Sequence, residues 1–227
     1  MSEAVSITGL LVDWGGVLTS DVFEAFAEFG EREGIGPDRV ARLFRSDPAA
    51  RGLLVGLETG TLAEPEFERG FADLLGVPPD GLIERLLGGV RPDERMRAAV
   101  LAARRQGVPT GLVSNSWGLG GYPAGLLTEL FTGVVISGSV GLRKPAPEIY
   151  RLGARSLGLR PEQCVFVDDL PGNLAPARDL GMATVLHRTA DDTLARLAEL
   201  LGVDLRPTAG GGVPPTPRGA GSGSGSV

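Results

Sequence analysis

Five short apolar runs, spread over most of the chain, constrain what this sequence can fold into. They are rich in Val, Ile, Leu and Thr and lie at 7–14, 109–115, 133–137, 164–169 and 183–187. Runs of this length, in which apolar residues are nearly continuous, are typical of parallel strands that are buried on both faces. The sequence therefore predicts five strands of one parallel sheet.

Helical patterns lie between these runs. In 92–107, apolar residues recur at i, i+3, i+4 and i+7, with a proline near the start and a glycine at the end. Further helices are predicted over 146–157, 172–180 and 191–201. Strands that alternate with helices indicate an α/β fold, here an open, Rossmann-like parallel sheet covered by helices on both faces.

The alternation is interrupted after the first strand. The next stretch contains only helical patterns, at 21–33, 37–45, 64–75 and 80–87. Six of the eight phenylalanines lie there, enough for a small core of its own. We therefore predict an all-helical cap domain over 19–89, inserted into a core domain made of 1–18 and 90–203.

Composition limits the classes of function. The chain has 227 residues, which is long enough to bury a sizeable core, and its net charge of −6 offers no general attraction to nucleic acid or to anionic membranes. The first residues lack a basic leader, and Asp13 interrupts their apolar run, so we expect neither a signal peptide nor a membrane span. These features favour a cytoplasmic protein.

The single cysteine and the single histidine offer little chemistry. Cys164 has no second cysteine to pair with, and both Cys164 and His187 lie in or beside apolar, strand-like runs. We interpret both as structural residues rather than as a nucleophile or a metal ligand. Beyond them, the Gly-, Pro- and Ser-rich residues 204–227 contain almost nothing apolar to bury, which predicts a flexible tail.

Residues capable of chemistry gather where the predicted strands end. The first run ends at Asp13, the second at Ser114 and Asn115, and the fourth at Asp168 and Asp169, while Lys144 follows the third by a short loop. In an open α/β sheet, ligands bind at the carboxyl ends of the strands. We therefore expect acids, a hydroxyl group and an ammonium group to meet at one edge.

This combination suits phosphoryl transfer to a carboxylate. Attack by Asp13 on a phosphate ester brings two anions together, and three acidic groups can hold Mg²⁺ between the first and fourth strands. Lys144 is the only lysine among 22 basic residues. Its compact ammonium group can contact both the nucleophile and the phosphoryl oxygens, where a planar guanidinium would need more room.

Four segments in this order carry a family resemblance. They are VDWGGVLT, VSNSWG, RKPAPEIY and FVDDLPGN, which lie within residues 12 to 173, each at the end of a predicted strand. They resemble the four motifs of the haloacid dehalogenase superfamily of hydrolases, in the subgroup with a helical cap after the first strand. The resemblance covers roughly residues 1–200.

The resemblance implies a role for each motif residue. The nucleophile would be Asp13, which would form an aspartyl-phosphate and bind Mg²⁺ together with the Gly15 carbonyl and Asp169, with Asp168 as a neighbouring or water-mediated partner. Ser114 would donate a hydrogen bond to the phosphoryl group, with Asn115 beside it. Lys144 would neutralise charge, and Asn173 would fix the loop that presents these groups.

Simpler roles remain open for several of these residues. Ser114, Asn115 and Asn173 are also favoured in turns and helix caps, and the two adjacent aspartates would suit the cap of a helix near 172. Trp14 and Trp117 flank the site and would contact substrate or, as we prefer, pack in the core or cap.

The first motif departs from the usual phosphatase pattern. The position two residues after the nucleophile usually carries an aspartate that acts as general acid and base, and here it is Gly15. The main hypothesis is a Mg²⁺-dependent phosphatase for a small phosphorylated metabolite, weakened but not abolished by this loss. A non-catalytic phosphate-binding protein is the second hypothesis. A metal-free 2-haloacid dehalogenase is the third, although that group carries tyrosine where this chain has Gly15.

Overall fold

One parallel sheet forms the centre of the computed structural model, which describes residues 6–118 and 120–206. The strands are β1 (Gly9–Val12), β2 (Thr110–Ser114), β3 (Gly133–Ile136), β4 (Cys164–Asp168) and β5 (Ala183–Leu186). All neighbours pair in parallel, in the order β3-β2-β1-β4-β5. The predicted α/β fold and all five predicted strands are confirmed.

The central position of β1 explains how distant motifs come together. Leu11 of β1 pairs with Gly111 of β2 on one side and with Phe166 of β4 on the other. The backbone continues this pairing beyond the strand, because Asp13 N donates to Val167 O at 2.9 Å. The carboxyl ends of β1, β2 and β4 therefore lie side by side.

Helices cover both faces of the sheet. They are α6 (Glu94–Arg105), α7 (Ala124–Leu130), α8 (Ser137–Val140), α9 (Pro147–Ser156), α10 (Pro171–Asp179) and α11 (Ala190–Leu201). One hydrophobic cluster joins Leu10 and Val12 of β1 to Met96 of α6, and a second joins Leu11 to Tyr150 of α9 on the opposite face. Successive side chains of β1 point to opposite faces of the sheet, so one core lies on each face. The short helices α7 and α8 were not predicted.

Five helices lie between β1 and α6. They are α1 (Val22–Arg32), α2 (Arg39–Ser46), α3 (Pro48–Glu58), α4 (Glu64–Leu75) and α5 (Leu82–Leu87). Their buried side chains form a third cluster, separate from the two sheet clusters, which includes Phe26, Phe29, Phe67 and Phe71. We call residues 22–87 the helical insertion.

Helix α3 was not among the four helices predicted in this stretch. Asp47 begins it by accepting hydrogen bonds from Ala49 N at 2.8 Å and Ala50 N at 3.1 Å. Glycines at 52 and 56 lower its intrinsic helix propensity, which is why the pattern was missed. Packing requires at least one of them, since a Cβ at Gly56 would lie 2.8 Å from Leu62 Cβ.

The two segments that connect the helical insertion to the core domain lie side by side. Ser20 N donates to Arg91 O at 2.7 Å, and Arg91 N donates to Ser20 Oγ at 3.0 Å. Trp117, in the loop after β2, packs against Phe26 with ring centroids 5.2 Å apart and so belongs to the cluster of the insertion. The insertion is therefore attached to the core at its connections and at Trp117.

The last described residues correct the predicted tail. Leu205 is 2% exposed and belongs to one of the sheet clusters, and Gln106 Nε2 donates to Asp204 O at 2.6 Å. Residues 204–206 therefore pack on the core, because Leu205 supplies an apolar side chain that the composition argument overlooked. The rest of the predicted tail, 207–227, lies outside the described residues.

No helix within residues 6–118 and 120–206 is long and apolar enough to cross a membrane.

Candidate active site

A buried ammonium group lies between two carboxylates at the carboxyl edge of the sheet. Lys144 Nζ is 2.8 Å from Asp13 Oδ1 and 2.7 Å from Asp168 Oδ2, and its side chain is 1% exposed. Asp13 directly follows β1, and Asp168 is the last residue of β4. The structure thus brings Lys144 together with one acid that precedes it and one that follows it, each more than 20 residues away in sequence.

Asp168 is held from several directions. Besides Lys144, its carboxylate accepts from Leu170 N at 2.9 Å and from Asn173 Nδ2 at 3.0 and 3.1 Å. Its side chain is fully buried. Asn173 therefore fixes the Asp168 carboxylate. Leu170 precedes α10 as its N-terminal flanking residue and no side chain caps that helix, so the simple capping role for the acid pair does not apply.

Asp13 is less fully engaged. Its Oδ1 accepts from Trp14 N at 2.7 Å as well as from Lys144. Within the described part of the chain, Oδ2 has no hydrogen-bond partner. One oxygen of Asp13 is therefore oriented by the protein while the other remains available.

Asp169 completes a group of three acids. Ligand atoms of Asp13, Asp168 and Asp169 lie within 4.8 Å of one another. The Asp169 carboxylate packs against Gly16, whose φ of +70° is a left-handed conformation that favours glycine, and any side chain at position 16 would collide with it. Gly16 is thus a site residue that the sequence analysis missed, and only the doubled glycine of the first motif hinted at it.

Burial and crowding shift the ionisation of these groups. Burial raises the pKa of Asp13 to about 7, with Lys144 opposing the shift and Asp168 adding to it. Burial and the charge of Asp168 raise the pKa of Asp169 to about 6. Burial lowers the pKa of Lys144, but the two carboxylates outweigh that effect and raise it. The site therefore holds more negative charge than one ammonium group offsets.

This arrangement fits a divalent cation. Hard cations such as Mg²⁺ prefer oxygen ligands, and the three clustered carboxylates supply them. Burial, with a smaller contribution from the neighbouring acids, raises the pKa of Asp13 and of Asp169, so a bound cation would stabilise the ionised form of both carboxylates. Residues that could hold such an ion are Asp13, Asp169 and Asp168, together with the main chain at Gly15.

Ser114, at the end of β2, is paired with a tyrosine that the sequence analysis did not consider. Ser114 Oγ is 2.9 Å from Tyr122 OH and is buried. The Tyr122 ring packs edge-on against Trp14 with centroids 5.3 Å apart. Burial raises the pKa of Tyr122 far above its usual range, so its hydroxyl stays protonated and can donate to Ser114.

Asn115 is turned toward the backbone of the lysine loop. Its Nδ2 donates to Lys144 O at 3.1 Å, and its Oδ1 accepts from Lys144 N at 2.8 Å. We expected this side chain beside Ser114 at the substrate, but both of its polar atoms hold Lys144 in place. Asn115 is therefore bound to the main chain of Lys144 by both of its polar atoms.

The position two residues after Asp13 carries no side chain. A Cβ on Gly15 would lie 3.1 Å from Val22 Cγ2, at the start of α1. That contact is tight but involves only a side-chain methyl group. The local structure therefore leaves limited room for a proton donor at this position.

The other candidates have structural surroundings. Trp14 contacts Tyr122, and Arg97 lies over its ring, while Trp117 packs in the helical insertion. Cys164 is buried in a sheet cluster. His187 Nδ1 shares a hydrogen bond with Thr193 Oγ1 at 2.9 Å, and its backbone N donates to Asp168 O at 2.9 Å.

Comparisons with known proteins identify the family of the chain. Residues 7–181 match the family of haloacid dehalogenase-like hydrolases. The chain is 35% identical to bifunctional epoxide hydrolase 2 of Sus scrofa over 142 residues, which is 60% of this chain and 25% of that protein. It is 27% identical to hexitol phosphatase A of Escherichia coli (strain K12) over 209 residues, 87% of this chain and 88% of that protein.

The first curated relatives are much longer than this chain, which spans a quarter of their length or less. Among solved structures, a HAD family enzyme of Bacteroides thetaiotaomicron in complex with magnesium and inorganic phosphate is similar, with a TM-score of 0.59 and 24% identity. That similarity covers 81% of this chain and 95% of that protein, and it concerns the fold.

Proposed function

The chain belongs to the haloacid dehalogenase-like hydrolases, and from this premise we propose that it is a Mg²⁺-dependent phosphatase acting on a small phosphorylated metabolite. The observation that carries the proposal is the contact of the Asp13 carboxylate with a buried ammonium group inside a cluster of three acids. The similarity to hexitol phosphatase A, which extends over 87% of the chain, supports phosphate esters as substrates.

Asp13 is the proposed nucleophile. Its Oδ2, which has no hydrogen-bond partner among the described residues, attacks phosphorus, and the bond to the ester oxygen breaks. The products are an aspartyl-phosphate and the alcohol, whose oxygen leaves with the electron pair of the broken bond and takes a proton from water. A water molecule then hydrolyses the aspartyl-phosphate to phosphate and free Asp13. Lys144 neutralises the charge that accumulates on the transferred group, because its Nζ lies 2.8 Å from the same carboxylate.

The metal site shares this nucleophile. Asp13, Asp169 and the Gly15 carbonyl, with Asp168 adjacent, would hold Mg²⁺, which would screen the repulsion between the carboxylate and the phosphate ester. Asp168 is occupied by Lys144, Asn173 and Leu170 N, so its main contribution is to fix the lysine.

Ser114 is the proposed donor to a phosphoryl oxygen. If Tyr122 donates to Ser114 Oγ, the hydroxyl hydrogen of the serine can turn toward the substrate, because its other acceptor, Asn115 O, is 3.5 Å away. Asn115 and Asn173 act indirectly, through the lysine backbone and the Asp168 carboxylate.

Gly15 decides which substrates suit this site. Because no side chain at this position can protonate the leaving oxygen, esters whose leaving group departs readily as an anion should react best. We further propose that the helical insertion acts as a cap that covers the site and selects the substrate, and that the protein works in the cytoplasm. The cap assignment is supported by the separate core of the insertion and its two adjacent connections.

A second candidate function follows from the same glycine. A protein that binds Mg²⁺ and a phosphorylated ligand without turnover would keep the acids and Lys144 while lacking the general acid. Nothing in the site favours the dehalogenase hypothesis, because a metal-free reaction at carbon gives Asp169 no role.

The test is phosphate release from a panel of sugar phosphates, nucleotides and glycolytic intermediates, with para-nitrophenyl phosphate as the substrate with a good leaving group. We expect Mg²⁺-dependent turnover that EDTA and Asp13→Asn both abolish. Tight binding of a phosphorylated compound without any hydrolysis over hours would instead establish the binding protein, and halide release from a 2-haloacid would establish the dehalogenase.

A further inference from the structure

Glu58, the last residue of α3, is a buried acid that the proposed reaction does not use. It is 5% exposed, and the other buried carboxylates in the described part of the chain are Asp13 and Asp168. Long charged side chains are almost never buried unless they are paired. A buried glutamate in the helical insertion therefore calls for a specific partner.

That partner belongs to the lysine loop of the core domain. Arg143 Nε donates to Glu58 Oε2, and Arg143 immediately precedes Lys144. Burial raises the pKa of Glu58, whereas Arg143 and Lys144 oppose the shift. The carboxylate is thus held next to the only lysine of the chain, although it comes from a different part of the fold.

The main chain at the end of α3 is attached to the same place. Ser137 Oγ donates to Glu58 O, and Ser116 N donates to Ser137 Oγ at 2.9 Å. Just beyond, Gly60 lies so close to the carbonyl of Gly138 that a side chain would not fit. Ser137, the first residue of α8, therefore links the main chain of Glu58 to the loop after β2.

Within the core domain, three side chains hold Lys144. Asn115 holds its peptide groups, and Asp13 and Asp168 hold its ammonium group. The Glu58–Arg143 ion pair adds a constraint from the insertion, one residue before the lysine. The side chain of Glu58 is 7% exposed and that of Arg143 is 30% exposed, so loss of the ion pair would leave the glutamate charge buried without this partner.

We propose that Glu58 is a positioning residue for Lys144. Through Glu58, the packing of the helical insertion on the core domain determines the orientation of the lysine side chain. The proposal rests on the proposed phosphatase function only for its effect on turnover. The insertion would then contribute to catalysis through Glu58 even though this side chain does not touch the reacting atoms, because Glu58 holds the Arg143–Lys144 segment.

The single lysine allows a test that needs no turnover. Lys144 is the only side-chain amine in the chain, so its reaction with an amine-specific reagent can be followed by mass spectrometry of the peptide that contains it, apart from the amino terminus. In the unaltered full chain, burial keeps this reaction slow. In Glu58→Gln, which removes the charge but keeps the size, we expect the labelling rate to rise by about tenfold or more, since loss of the constraint permits local opening.

Glu33→Gln is the matched control. Glu33 also lies in the insertion and pairs with an arginine, Arg85, at 2.8 Å, but that pair does not touch the lysine loop. We expect labelling of Lys144 in this variant to stay within about twofold of the unaltered protein. Equal rises in both variants, or no rise in Glu58→Gln, would overturn the proposal, because the first indicates general loosening and the second shows that Glu58 does not hold the lysine.

Kinetics give a second readout. With para-nitrophenyl phosphate and Mg²⁺, kcat of Glu58→Gln should fall about tenfold while KM changes less than about twofold, and Glu33→Gln should change neither by more than about twofold. If Glu58→Gln does not fold, Glu58→Asp replaces it, because the shorter carboxylate retreats from Arg143 and should produce a smaller change in the same direction. If no ester is hydrolysed by the unaltered protein, the phosphatase proposal fails, and the labelling result still decides the role of Glu58.

Discussion

Asp13 and Asp168 follow neighbouring strands and both bind Lys144, yet the structure treats them differently. Asp168 has both oxygens occupied by Lys144, Asn173 and Leu170 N, whereas Asp13 has one oxygen held and the other without a partner among the described residues. The pKa of Asp13 is raised to about 7. Residues of one type at equivalent strand ends are therefore distinguished by hydrogen bonds, and this difference fits the proposed roles of Asp168 as a supporting residue and of Asp13 as the nucleophile.

The first prediction tests the reactive half of this comparison. In Asp13→Asn, the amide oxygen can still accept from Lys144 and Trp14 N, but the proposed nucleophile is lost. We expect this variant to have a kcat lower by about 10⁴-fold or more, while its free energy of unfolding stays the same or rises, because one charge leaves a crowded buried cluster. Steady-state kinetics and urea unfolding measure both quantities. Residual turnover near the original rate would assign the reaction to another group.

Asp168→Asn tests the supporting half. An amide at this position would place an NH₂ group against Leu170 N or Asn173 Nδ2, both of which donate to the carboxylate, and Lys144 would lose one of its two anions. We expect a loss of about 3 kcal/mol in the free energy of unfolding and a roughly 10²-fold lower kcat. The comparison fails if this variant is as stable as Asp13→Asn.

Gly15→Asp sharpens the comparison because it adds, two residues after Asp13, the carboxyl group that could act as general acid. The new Cβ would meet Val22 Cγ2 at 3.1 Å, so the change is best made with Val22→Ala as well. We expect hydrolysis of an alkyl phosphate to accelerate by about 10–10²-fold, with little change for para-nitrophenyl phosphate, because only the poorer leaving group needs a proton. The control is Gly15→Asn, which has the same shape but cannot supply the proton. An equal gain in that variant would exclude proton transfer as the cause.

Much of this comparison could be predicted from the sequence. Buried parallel strands have a strong apolar signature, and the polar residues that follow them must share one edge of the sheet, which is why Asp13, Lys144 and Asp168 were expected to meet. The fold class and the hydrolase family are confirmed. Lys144 was informative because its type is unique in the chain.

The difference between the two aspartates could not be predicted, because it depends on which donors surround each carboxylate. The same limit applies to Asn115, whose side chain turned toward Lys144, and to Tyr122, which reaches Ser114 from a loop without a distinctive pattern. Glu58 was missed together with α3, since the glycines of that helix obscured the pattern. The roles of Asn115 and Glu58 depend on contacts between segments far apart in sequence, whereas the contacts of Asp168 and Tyr122 depend on the conformation of nearby loops.

Tyr122→Phe tests whether Tyr122 orients the hydroxyl group of Ser114, the last residue of β2. The ring and its contact with Trp14 remain, and only the donor to Ser114 is removed. We expect kcat to fall about fivefold with KM nearly unchanged, as for the loss of one hydrogen bond. In a double-mutant cycle with Ser114→Ala, the tyrosine change should then have almost no effect. Additive losses would mean that Tyr122 acts independently of the serine.

The smallest expected effect is the pH dependence of stability that arises from the buried carboxylates. The pKa values of Asp13 and Asp169, about 7 and about 6, lie above the ordinary value of 3.8, so the metal-free native state binds more protons than the unfolded state between about pH 4 and 7. Its free energy of unfolding should therefore fall as pH rises through that range. Mg²⁺ competes with those protons, and at about five times its Kd it should add about 1 kcal/mol at pH 8 and much less at pH 5, measured by thermal unfolding. The same stabilisation at both pH values would show that protons and the cation do not share these carboxylates.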